Sequence, residues 1–129
     1  LSAEDVTSQL SRTDEEIQNL VGHSATVVRP PYGSFNDTVA GIAARPLIMW
    51  SVDTLDWETQ NADSTVQNVM DNAQDGAIIL MHDIFKESVD AAEVFIPQLI
   101  QEGYQLVTVS ELAAAKGITL EAGTSYGAF

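Results

Sequence analysis

Residues 77–81 read Ala-Ile-Ile-Leu-Met, and His82-Asp83 follow at once. Five apolar residues in a row, without polar alternation, predict a strand covered on both faces, the situation of a parallel strand in an α/β fold. Asp75-Gly76 marks the turn before it. Upstream, Ser64 is expected to cap a helix bearing Val66, Val69, Met70 and Ala73. Downstream, the pattern predicts a helix from Ser88 to Glu102 that Pro97 should kink or restart.

The same alternation extends in both directions. Ser2, with Asp5 three residues on, opens a helix whose apolar face is Val6, Leu10, Ile17, Leu20 and Val21, and Gly22 closes it. Thr26-Val27-Val28 reads as a short β-branched strand. A helix is expected over 36–44, and Leu47 to Val52 reads as one strand after Pro46. Gln105 to Val109 reads as a fourth strand, Ser110 as the cap of a last helix ending before Gly117, and 123–129 as a patternless, mobile tail. Helices and strands alternating in this way imply right-handed crossovers and a parallel sheet. The expected fold class is α/β, with residues 1–129 one portion of a larger catalytic domain. Four strands cannot close a barrel, and 129 residues fall short of the roughly 250 that a complete one needs. Further strands are therefore expected ahead of Leu1, on a missing N-terminal segment.

Composition narrows the function. Nineteen acids face five basic residues, a formal charge of -14. Nucleic acid binding needs a basic face to neutralise phosphates, and an anionic membrane surface needs the same. Both are disfavoured, and no apolar run is long enough to span a bilayer. A chain without cysteine has no disulfide, no thiolate metal site and no thiol nucleophile.

Three polar clusters each follow a strand-like run: Arg29-Pro30-Pro31-Tyr32-Gly33, Asp53-Thr54-Leu55-Asp56-Trp57 and Leu80-Met81-His82-Asp83. Parallel strands end on one face, where active sites collect. His82 is one of two histidines and can exchange a proton near neutral pH. Either Asp53 or Asp56 can stand beside it, fix its tautomer and stabilise the imidazolium; a turn role for Asp53 is the competing reading. Trp57 either shields the pair or packs in its loop. The prolines stiffen the first cluster, and Gly33 permits a tight turn that presents the Tyr32 backbone N–H to an oxyanion. Arg29, one of three arginines in an acidic chain, is expected to pair with a carboxylate. His23 is read as a solvated residue after the first helix.

In this order and at these distances, the three clusters resemble those of polysaccharide deacetylases of the NodB-homology type, carbohydrate esterase family 4. Gly103-Tyr104-Gln105-Leu106-Val107-Thr108 resembles that family's last strand, and Ile48-Met49-Trp50 with the acidic loop after it is similar to peptidoglycan N-acetylglucosamine deacetylases of Gram-positive bacteria. The resemblance implies a distorted (β/α) barrel of parallel strands, of which this chain is the C-terminal part, and metal-assisted removal of acetyl groups outside the cell, at the bacterial cell wall. His82 would be the general acid for the departing amine, with Asp56 orienting and charging it. Trp57 and Leu80 would wall the acetyl pocket, Tyr32 would give its N–H to the oxyanion, and Arg29 would hold the catalytic-base aspartate.

The chain departs from the family in lacking the paired aspartates and the two histidines four apart that bind metal. No metal ligand is assigned among these residues. A divalent ion, zinc in the first instance, would take its ligands from the N-terminal segment, expected here as a separate, noncovalently held chain. An acetylated polysaccharide is the other expected partner. Competing readings are a chitin or xylan deacetylase, a noncatalytic α/β binding module without the metal site, and a glycosidase using Asp53 and Asp56. Two carboxylates so close in one loop make the last geometry hard to reach.

Overall fold

The computed structural model describes all 129 residues, Leu1–Phe129, which group into two units: 1–49 with 119–126, and 50–118 with 127–129.

In the first unit, helix α1 spans Ala3–Val21. Its start is a reciprocal cap: the Ser2 hydroxyl accepts from the Asp5 N–H at 3.1 Å and the Asp5 carboxylate accepts from the Ser2 N–H at 3.1 Å. Gly22, at φ 82°, closes it in the left-handed conformation. Helix α2, Asp37–Ala43, is capped by the Asn36 side chain, which accepts from the Val39 N–H. Ala40 and Ala43 of α2 pack with Leu47, joined by Leu10 and Val28. Strand β1, Leu47–Ile48, runs parallel to β4, Ser125–Tyr126, and Val28 bridges Leu47 on β1 in parallel. Arg45 locks this arrangement, forking onto both oxygens of Asp14 at 2.8 and 3.0 Å and donating to the Ala25 and Ala43 carbonyls.

In the second unit, β2 (Val52–Asp53) and β3 (Ile79–Leu80) pair in parallel, Val52 opposite Ile79 and Asp53 opposite Leu80. Between them lie the short helix α3, Asp56–Thr59, and α4, Ala62–Asn72; α5, Lys86–Gln101, and α6, Val109–Ala115, follow. The core is built where α4 meets α5, from Val69, Ala91, Phe95 and Leu99, with Ile79 and Met81 packed against it. On α5 the buried positions 88, 91, 95 and 99 form one helical face. Pro97 lies on the opposite, exposed side, and α5 continues through it without a restart.

The strands are shorter than the apolar runs that announce them. The run from Leu47 to Val52 divides because its ladder partners change. Leu47, Ile48 and Met49 donate to Thr124, Val28 and Tyr126, whereas Ser51 and Val52 both donate to Ile78. The expected strand 105–109 has no ladder: Leu106 and Val107 are exposed and helix begins at Val109. A β-branched run becomes a strand only where a neighbour completes its hydrogen bonds. Two caps also move. Asn61, not Ser64, caps α4, and Thr108 with Glu111, not Ser110, caps α6. The tail expected to be patternless contains β4, bridges Ala77 through Ala128, and donates from the Phe129 N–H to the Gly76 carbonyl. Gly76 sits at φ +83°, where an added Cβ would collide with the Phe129 carbonyl.

Candidate active site

The acidic loop after β2 is held by a chain of local bonds. The Asp53 carboxylate accepts from the Leu55 N–H at 3.0 Å, a turn role. The buried Thr54 hydroxyl donates to the Leu80 carbonyl at 2.8 Å, fixing this loop against β3. Leu55 adopts φ 56°, a conformation that costs a side-chain-bearing residue about 1 kcal/mol. The resulting turn starts α3 with Asp56 directed inward and 1% exposed.

Asp56 is a carboxylate surrounded by donors. Its Oδ2 accepts from the His82 backbone N–H at 2.6 Å and from the Ser88 hydroxyl at 2.7 Å. Its Oδ1 stands 2.8 Å from His82 Nδ1 and accepts from the Trp57 N–H at 2.9 Å. Burial pushes this carboxyl up, but the bonds from the His82 ring, the Ser88 hydroxyl and the His82 N–H, together with the charge of His82, outweigh burial and leave it below the usual carboxylate range. An ionised carboxylate only accepts hydrogen bonds, so Nδ1 carries the proton in this pair. The other ring nitrogen, Nε2, is then free to exchange a proton, and the ring is partly exposed. This is an imidazole held in one tautomer by a buried carboxylate, suited to general acid–base work.

Of the two aspartates, only Asp56 meets His82. Trp57 is half exposed and Leu80 is buried. In the first unit, Arg29 donates from Nε to the Ile48 carbonyl at 3.3 Å and from Nη2 to the Met49 carbonyl at 3.2 Å, where a carboxylate partner was expected. These bonds use two of its five N–H donors. Tyr32 is fully exposed at φ 59°, inside a single 3-10 turn closed by bonds from the Gly33 N–H to Pro30 and the Ser34 N–H to Pro31. His23 is exposed, as expected. Two participants escaped the sequence reading. Thr54 sits in the Asp53–Trp57 cluster with no chemistry that singles it out, and Ser88 is one serine among several, six residues past His82, with no spacing signal.

A resident metal does not fit these residues. His82 and Asp56 bind each other, His23 stands alone, and no group of three or more His, Cys, Asp or Glu side chains is placed to hold an ion.

The polysaccharide deacetylase family model matches residues 1–46, a stretch that includes Arg29 and Tyr32 and stops before Asp56. The peptidoglycan-N-acetylmuramic acid deacetylase PdaC of Bacillus subtilis is 41% identical over 116 residues, 90% of this chain and 25% of that protein. The peptidoglycan-N-acetylglucosamine deacetylase PgdA of Listeria monocytogenes is 38% identical over 97% of this chain and 26% of that protein. The chain thus spans about a quarter of the length of these curated relatives. Among solved structures, the T48 deacetylase with substrate superposes with a TM-score of 0.92 at 37% identity, over 98% of this chain and 62% of that one. A family 4 acetyl xylan esterase from Clostridium thermocellum, solved with a cobalt ion, gives 0.90 at 25% identity, over 99% and 65%. In sequence and in fold, this chain is similar to part of the polysaccharide deacetylases, with solved structures of carbohydrate esterase family 4 among its neighbours, the family its motifs resemble.

Proposed function

We propose that this chain supplies the proton-delivering part of a site that hydrolyses N-acetyl groups on a polysaccharide, with peptidoglycan N-acetylglucosamine as first substrate. The observation that carries this reading is the Asp56–His82 pair, a buried ionised carboxylate bonded to Nδ1 of a partly exposed ring. An amide is hard to hydrolyse because its amine leaves poorly. A proton delivered from Nε2 as the tetrahedral intermediate collapses turns the leaving group into a neutral amine. Asp56 stabilises the imidazolium that makes the delivery. Within the second unit, Trp57 and Leu80 bound the acetyl methyl group. The unused donors of Arg29 orient the acid that acts as base, on residues outside this chain.

A divalent ion, zinc in the first instance, would supply an activated water here, and its ligands would have to come from residues other than these 129. The cobalt in the acetyl xylan esterase supports a divalent ion in the family. The relatives' names support a cell-wall substrate and hence a site of action outside the cell membrane. N-acetylmuramic acid is a second substrate reading, favoured by the name of the Bacillus subtilis relative.

The test is acetate release by the protein that carries this chain, with peptidoglycan fragments, chitin oligomers and acetylated xylan offered in parallel. Release from peptidoglycan fragments, abolished by Asp56→Asn, supports the reading. Tight glycan binding without acetate release would instead make the chain a noncatalytic module.

A further inference from the structure

Ser88 is the third residue of α5 and is 2% exposed. A hydroxyl buried this deeply needs a partner, and Ser88 directs its own at one acceptor, Asp56 Oδ2, at 2.7 Å. Asp56 has little rigidity of its own. It begins a four-residue helix set between two left-handed residues, Leu55 and Gln60, and so short an element does not hold itself in place. The carboxylate torsion is also intrinsically broad.

The orientation of Asp56 is therefore set by what touches it. Three of its four donors come from Trp57, its neighbour in sequence, and from His82, the residue it has to orient. Ser88 is the remaining donor and the one that belongs to a different element. That element is anchored: Ala91, Phe95 and Leu99 of α5 form the core with Val69. The Ser88 bond ties the carboxylate to the packed frame of the unit.

We propose that Ser88 is a positioning residue that acts through Asp56, holding the carboxylate so that Oδ1 meets His82 Nδ1 and Nε2 is presented for proton transfer. This inference rests on the deacetylase reading of the site and adds a residue to it. The Ser88 hydroxyl shares Oδ2 with the His82 N–H, while Oδ1 takes the ring and the Trp57 N–H. Without it the carboxylate rotates, and His82 loses its fixed tautomer.

The experiment compares wild type, Ser88→Ala and Ser88→Thr in the protein that carries this chain. Readouts are kcat and KM for acetate release, the melting temperature, and the proton resonance of His82 Nδ1–H. Ser88→Ala is expected to lower kcat about tenfold or more with KM essentially unchanged, and to broaden or abolish the Nδ1–H resonance. Ser88→Thr, which keeps the hydroxyl, is expected to restore most of the rate. The proposal is overturned if Ser88→Ala keeps the wild-type resonance, or if both variants lose rate only in proportion to lost stability. The two readings separate cleanly. A wild-type protein that releases no acetate defeats the deacetylase function, while the resonance in Ser88→Ala still decides whether Ser88 positions the pair.

Discussion

His82 engages Asp56 twice, through its backbone N–H to Oδ2 at 2.6 Å and through its ring Nδ1 to Oδ1 at 2.8 Å. The two-point attachment fixes both the chain and the ring of His82 against one carboxylate. Replacing the acid therefore removes more than charge. Asp56→Asn places an amide where four donors converge, so one donor-to-donor contact is forced and the ring tautomer is no longer dictated. The expected result is a kcat for acetate release lowered about a thousandfold or more, measured against a melting curve that shows the variant still folded.

Acid should weaken this site in a predictable direction. The folded carboxyl of Asp56 lies below its ordinary range, burial being outweighed by its hydrogen bonds. A depressed folded value means that its stabilising effect is complete above the unfolded value of about 4 and disappears as pH falls through the folded one. Asp56→Asn has no such limb. Urea unfolding at about pH 7 and about pH 3 is expected to show the gap between wild type and variant shrinking in acid.

Two buried threonines should respond with opposite sign. Thr54 donates to the Leu80 carbonyl, whereas the Thr65 hydroxyl has no partner. Thr54→Val is expected to cost about 1 kcal/mol, and Thr65→Val to be neutral or stabilising by up to about 1 kcal/mol. Denaturant midpoints of the two variants check both.

The core of the second unit gives a larger effect. Phe95 is 4% exposed among Val69, Ala91 and Leu99. Phe95→Ala leaves a cavity and should cost about 3–5 kcal/mol, read from chemical unfolding.

What was legible in the sequence follows from which forces act locally. The Ser2–Asp5 cap and the Gly22 stop are set by residues within a turn or two, and the structure has them where the pattern put them. The strands were legible as apolar runs but not in length. Whether Val107 joins a sheet depends on a neighbour that no local pattern describes, and β4 forms from a segment with little strand character because Leu47 accepts it. The pairing of His82 with an acidic loop 26 residues away was readable from chemistry at strand ends. The choice of Asp56 over Asp53 required the left-handed turn at Leu55. Ser88 could not be read at all, since its role depends on how α5 packs.

The central claim is that His82 delivers a proton to the departing amine. The sharpest measurement compares wild type and His82→Ala on two substrates, an N-acetylated peptidoglycan fragment and 4-nitrophenyl acetate, whose leaving group needs no proton. Asp56 keeps three of its four donors in this variant, so the fold should survive. A loss of about a hundredfold or more is expected on the amide, with most of the aryl acetate activity retained. Equal rates of wild type and His82→Ala on the amide, or an equal loss on both substrates, would contradict it.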